Sequence, residues 1–323
     1  MTNAHPTDRL VQCILTATVA VALLLCSAAA GAQGTADALA LRPRWETGQS
    51  ARYSFWTRRQ QDVEVRFDGN VREAGSTVLT EGELSWTIDS VRDDGSAEAT
   101  MTLDWMTADI TDAEGKTLRN DSRKGAGDLE PVHGLLRAMA GAPIRVSLTT
   151  DGSVASVSGV DKIRAVAEVP EMVPEELDFE ESATELATLA FAPETAAVGD
   201  TWPASFRWTH ELGHLEQDWT YRVAGVEEIG NVRVAMIEGE AELELDPDTL
   251  RAEQPADAPP TTVKLVDGEA TQSIMFDLSR GEAVGRDSTL RTTLEVSVAL
   301  PNARKLNQVT REVERSQVLR IEP

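Results

Sequence analysis

Cysteine is nearly absent from this chain. There are two, Cys13 and Cys26, and both fall within the first thirty-two residues. If that stretch is removed, as argued below, the remainder has no disulfide, no thiol nucleophile and no cysteine-based zinc or iron site. Long apolar runs are missing too. The best candidate, Ile14 to Leu25, spans about twelve residues, short of the roughly twenty a bilayer-crossing helix needs. Basic residues are scarce: 30 Lys and Arg stand against 54 Asp and Glu, for a net charge of −24. None occurs between Arg164 and Arg207. A field of that sign repels nucleic acid and anionic lipid, so neither is expected as a partner. The nucleophile-elbow, P-loop and dinucleotide fingerprints are absent, and the acidic stretches lack the spacing of a calcium loop.

What the N-terminus does contain reads as an export signal over residues 1–32. A polar start with Arg9 as its one basic side chain precedes the apolar run, and Ala30-Gly31-Ala32 fits a signal-peptidase site that would leave Gln33 as the new terminus. Acylation at Cys26 is the competing expectation, but Leu25 occupies the position where a small residue is required. The expected product is extracytoplasmic (periplasmic or secreted), with no transmembrane segment after cleavage. About 290 residues would remain, enough for one large domain or two modest ones. A hydrophobic content of 41% and a mean hydropathy of −0.25 suit a folded chain with a core of its own.

Most of that chain alternates with period two. Tyr53 to Phe55, Leu84 to Ile88, Met101 to Trp105, Val232 to Met236, Ser273 to Phe276 and Leu294 to Val298 read as strands. Turn signals lie between them at Asp68-Gly69, Asp94-Gly95, Asp151-Gly152, Gly230-Asn231 and Asp267-Gly268. Short strands joined by hairpins predict antiparallel sheet. The middle differs. Val132 to Ala140 carries Leu135, Leu136 and Met139 on one stripe ended by Gly141 and Pro143, and further helical spacing appears over Val160–Val169 and Ser182–Phe191. Asp246 to Pro260, with four prolines, reads as a surface loop. The expected fold class is therefore α+β, mainly antiparallel, with a β-rich half over 33–130, a helical and acidic insert with a short strand pair over 131–195, and a second β-rich half over 196–323.

The two halves, expected to be curved sheets, resemble one another. Val91 to Met101 aligns without gaps on Val226 to Met236, Trp86-Thr87 matches Trp219-Thr220 with a two-residue insertion, and Gly48 to Phe55 has the spacing of Gly199 to Phe206. A duplicated β unit accounts for all three matches.

One segment could carry metal chemistry. His210-Glu211-Leu212-Gly213-His214 is a literal H-E-x-x-H, which on a helix would set two imidazoles on one face for zinc and Glu211 as general base of a metallopeptidase. Its surroundings read otherwise. Phe206, Trp208 and His210 alternate before it, and Trp219, Tyr221 and Val223 after it, so Glu211 to Leu215 is expected to be a hairpin turn. Residues four apart on a strand are separated by about 13 Å, too far to share one zinc. His133 is read as a capping or surface residue, and the seven tryptophans as core anchors.

Val198-Gly199-Asp200-Thr201-Trp202 resembles the strand start of a family of exported bacterial proteins of unknown function, and Ala142 to Gly159 is similar to an earlier part of that family's pattern. The resemblance implies an extracytoplasmic β-rich domain and supplies no catalytic residues. The reading that follows is a non-enzymatic protein without a cofactor, binding a small apolar ligand or a protein partner in the concavity of its sheet. The metallopeptidase using His210, Glu211 and His214 is the alternative, and helix or strand at Thr209–Leu215 separates the two.

Overall fold

The computed structural model describes residues 38–159, 163, 193–210, 213–246, 259–300 and 304–321. The expected leader, its cleavage site and Cys26, the insert helices apart from Ile163, Glu211 and most of the proline-rich loop lie outside the described residues. Among those described the chain is mainly antiparallel β with one short helix.

The strands run in chain order as β1 (Leu39–Ala40), β2 (Ser50–Phe67), β3 (Asn70–Val91), β4 (Ala97–Thr111), β5 (Thr117–Asp121), β6 (Pro143–Leu148) and β7 (Val154–Ser158). After the single helix α1 (Glu130–Met139) and this β6–β7 pair come β8 (Thr195–Ala196), β9 (Thr201–His210), β10 (Gly213–Ile229), β11 (Val232–Asp246), β12 (Thr261–Asp277), β13 (Glu282–Leu300) and β14 (Arg304–Ile321). Apart from the small β1–β8 pair they form one sheet, ordered β7-β6-β4-β3-β2-β14-β13-β12-β11-β10-β9, with β5 added to β4. The two β-rich regions are thus joined edge to edge. The last strand, β14, sits between β2 and β13 and pairs antiparallel with both.

Local sequence explains the joints. At Asp68-Gly69 both residues take positive φ, 50° and 78°, the tight turn whose twist suits a two-residue hairpin. Gly230-Asn231 closes β10 onto β11 in the same number of residues. Asp267-Gly268 does not turn the chain. It lies within β12 at a register shift, and a Cβ on Gly268 would stand 2.9 Å from Leu243 Cβ. Glycine serves there to admit a bulge and a close neighbour.

The same register device occurs twice. Gly48 N–H donates to Ile88 O and Ile88 N–H to Gln49 O, while Gly199 N–H donates to Val223 O and Val223 N–H to Asp200 O. A bulge then follows Ile88 on β3 and Val223 on β10. The sequence match holds through Val91 and Val226 but fails beyond. Ile88 pairs with Ala99 and Val223 with Ile237, where the ungapped match puts Val234 opposite. The second hairpin carries its ladder further before turning, which displaces its return strand by three residues. Tyr221, not Trp219, takes the place of Trp86, since they pair with Trp202 and Ala51 respectively.

Two apolar clusters form the core. One gathers Phe55, Leu84, Ile88, Met106, Ile110, Val146, Leu148 and the helix residues Val132, Leu135 and Leu136. The other gathers Trp202, Leu215, Trp219, Tyr221, Val223, Ile237, Ile274 and Phe276 with Leu39 and Leu41. His133 corrects its sequence reading. It lies inside α1, 1% exposed, with neither ring nitrogen hydrogen-bonded. The apolar stripe of α1 is wide enough to draw it into the core beside Val132.

Candidate functional site

Paired residues of an antiparallel ladder project to the same side, and successive rungs alternate. Following the registers, one face of the sheet carries Trp86, Ala51 and Tyr53, then Phe55, Val318, Arg286 and Ile274. On that face, where the two clusters meet, lies a cleft of about 120 Å³. Trp45, Tyr53, Leu84, Trp86, Met101 and Leu148 line it from one side, Phe276 and Ala283 from the other, with Val318 of β14 between. A cavity of some 150 Å³ accommodates one benzene ring, so this somewhat smaller one takes a single slim chain or part of a ring.

Polar groups are few and local. Glu282, 8% exposed, accepts from Arg320 and, at 3.3 Å, from Gln49 Nε2, with Arg280 Nη1 3.9 Å away. Tyr53 donates its hydroxyl to Ala283 O at 3.3 Å. Burial pushes the Tyr53 hydroxyl above its usual range, partly offset by the charge of Arg320. Asp277, paired with Glu282, is also buried. Burial alone would raise its carboxyl, but the Ser279 hydroxyl and the N–H groups of Arg280 and Ser279 outweigh that and hold it below the usual carboxylate range. Trp45 Nε1 is a buried donor with no partner.

One rung further along the same face the lining changes. Thr80, Thr57, Ser316, Ser288 and Gln272 stand on consecutive strands in direct register, and Tyr221 donates to Gln272 Oε1 at 2.8 Å. Thr57, Thr80 and Ser316 are almost fully enclosed, and Thr80 Oγ1 has no partner. Beyond them Arg59 donates to Glu312 at 2.6 Å, an ion pair with each side chain 10% exposed.

Of the H-E-x-x-H segment, His210, Gly213 and His214 lie in strands. His210 ends β9 and pairs with Gly213, and His214 pairs with Thr209, so the histidines occupy successive rungs of a hairpin. Gly213 to Leu215, expected to be part of a turn, already belong to β10, and positions 211–212 lie outside the described residues. The helical face that would bring two imidazoles onto one zinc does not exist at His210 or His214. Of the tryptophans, Trp202 and Trp219 anchor the second cluster by stacking on Tyr221 at 5.8 and 5.4 Å. Trp45 and Trp86 pack against the first cluster and also line the cleft, which composition alone could not reveal.

No curated protein matches this chain. Among solved structures it is similar to lipovitellin, studied for its lipid–protein interactions, at 9% identity, with a TM-score of 0.47 over 86% of this chain and 25% of lipovitellin. The chain thus spans about a quarter of that protein's length. A DUF1329 family protein from Desulfovibrio piger matches at 9% identity and TM-score 0.12, over 83% of this chain and 85% of its own. OpdQ from Pseudomonas aeruginosa matches at 8% and 0.21, over 84% and 98%. A family model matches residues 94–282, more than half the chain, and the protein therefore belongs to that family of unknown function, DUF6263.

Proposed function

We propose that this protein is an exported, non-enzymatic binder that takes a small apolar ligand into the cleft between its two clusters. The observation that carries the reading is the composition of that cleft. Two tryptophans, a methionine, leucines and a phenylalanine line a concave space, with a handful of fixed polar groups at one side, the usual make-up of a small-molecule site. Export is supported by the pattern of residues 1–32.

The neutral fluorescent probe N-phenyl-1-naphthylamine tests the binding reading. It should bind with a saturable rise in emission at one site per chain. Ala283→Phe, which fills the cleft from its rim, should reduce that binding at least tenfold while leaving the far-ultraviolet circular dichroism unchanged. A folded Ala283→Phe variant that binds as well as the parent would exclude the cleft. Export is checked separately by N-terminal sequencing of extracytoplasmic material, where a start at Gln33 is expected and an acylated Cys26 would contradict it.

A further inference from the structure

We infer that the ligand is an electrically neutral, slim apolar molecule carrying a hydrogen-bond-accepting oxygen, which takes the indole N–H of Trp45. The inference rests on the cleft being a binding site and goes further by assigning the ligand's charge and its polar atom. The charges in and around the cleft balance. Its wall holds one anion and one cation, Glu282 and Arg286. Glu282 accepts from Arg320, and Arg280 stands 3.9 Å from both Glu282 and Asp277. Arg286 already has an interaction partner. Glu314 lies on the same face of the sheet, four residues along β14 from Val318, the ladder partner of Arg286. Arg280, Arg286 and Arg320 thus meet Asp277, Glu282 and Glu314, three charges of each sign. Arg44 and Glu46, on either side of Trp45, are exposed and of opposite sign. An ionic head of either sign drawn into this cleft would give up its hydration without finding a spare counter-charge, and a buried charge in that position is costly.

The neutral hydrogen-bonding groups of the wall are mostly spent. Tyr53 donates its hydroxyl to Ala283 O. Gln49 donates Nε2 to Glu282, and its Oε1 accepts the N–H of Glu46 at 3.1 Å. Ser50 is exposed to solvent. Among these neutral side chains the buried polar atom left without a partner is Trp45 Nε1, a donor. A buried donor is costly when unmet. A ligand that supplies an acceptor recovers that cost, and one that supplies only a donor does not. A carbonyl, ether or hydroxyl oxygen offers the lone pair without a net charge. Size restricts the rest of the molecule, since about 120 Å³ takes a single slim chain or part of a ring.

The test titrates the purified protein calorimetrically with 2-octanone, octanoate and octyltrimethylammonium, each below its micellar concentration. The ketone should bind at one per chain and at least tenfold more tightly than either ion. Glu282→Gln, which removes one negative charge from the balance, should strengthen octanoate at least fivefold and leave 2-octanone within twofold. Trp45→Phe, which keeps a ring and removes the donor, should weaken 2-octanone about fivefold. In the parent protein one indole N–H proton resonance should move downfield on saturation with 2-octanone, which decides the acceptor if Trp45→Phe does not fold. The ranking of the three probes needs no variant and decides the charge if Glu282→Gln does not fold. Either ion bound as tightly as the ketone would overturn the neutral ligand while leaving an apolar site standing. A folded Trp45→Phe variant that binds 2-octanone as well as the parent, or indole resonances that all stay in place, would overturn the acceptor. Binding of none of the three probes would remove both readings.

Discussion

At Asp287 a carboxyl group is wholly enclosed on the opposite face of the sheet from the cleft. It stands between Ser273 and Gln317 in the ladders, and the Gln317 side-chain carbonyl is occupied by Trp56 Nε1 at 3.0 Å. Neither carboxyl oxygen of Asp287 gains a hydrogen bond of good geometry. Burial therefore pushes its pKa up to about 6, only partly countered by the Gln317 amide. The sign follows from proton binding. Between about pH 4 and pH 6 the folded state holds a proton that the unfolded state has released, so stability falls as pH rises through that window and is flat above it. The loss is on the order of 2 kcal/mol. Asp287→Asn should flatten this dependence and raise the urea midpoint at pH 7.5, because it keeps the shape without the buried charge. A variant whose midpoint at pH 7.5 drops, or whose pH profile matches the parent's, would show that Asp287 is ionised at no cost.

At the scale of the strand, β11 alternates strictly from Ile237 to Glu244: Ile237, Ala241 and Leu243 are buried, and Glu238, Glu240, Glu242 and Glu244 are exposed. The acidic side is crowded. Glu242 faces Asp218 on β10 and Glu269 on β12, and Glu244 faces Glu216. Arg291 pairs with Glu269 and Ser205 donates to Asp218 at 2.6 Å, which relieves part of the strain. Like charges directly opposite one another destabilise a sheet. Glu242→Thr should therefore raise stability by about 0.5–1 kcal/mol, read as a higher urea midpoint at unchanged slope. A lower midpoint would mean that the row is held together by pairing this strand does not display. Strands of this kind were legible because apolar and polar residues alternate in them. β14 was not. Two of its three buried positions are Thr310 and Ser316 beside Val318, and its Glu312 is half of an ion pair, so the strand that joins the two regions carries no apolar alternation. Asp267-Gly268 misled for a related reason, since the dipeptide serves a bulge as readily as a turn. The cleft stayed hidden because its wall draws on Trp45, Trp86, Phe276 and Val318, which only the pairing of β2 with β14 brings together.

Over the whole molecule one sheet carries two apolar clusters, and electrostatics works against it. The chain has 54 acidic and 30 basic residues. Many of the cations are already committed on the surface: Arg52 to Glu83, Arg207 to Glu216 and Asp246, Arg222 to Glu238 and Arg291 to Glu269. Exposed pairs of this sort contribute little each, so they leave the excess negative charge uncompensated. Its self-repulsion acts over the Debye length, about 30 Å at 0.01 M salt and about 8 Å at 0.15 M. Unfolding spreads the same charges over a larger volume and relieves the repulsion, which makes net charge a destabilising influence on the compact state. The melting temperature should accordingly rise as sodium chloride is increased from about 0.01 M to 0.3 M, most steeply at the low end where screening length changes fastest. Sodium chloride is the right salt, because sulfate would strengthen apolar burial by exclusion and confuse the cause. A melting temperature that falls over this range would mean that favourable ion pairs, weakened by screening, outweigh the repulsion among the surplus carboxylates.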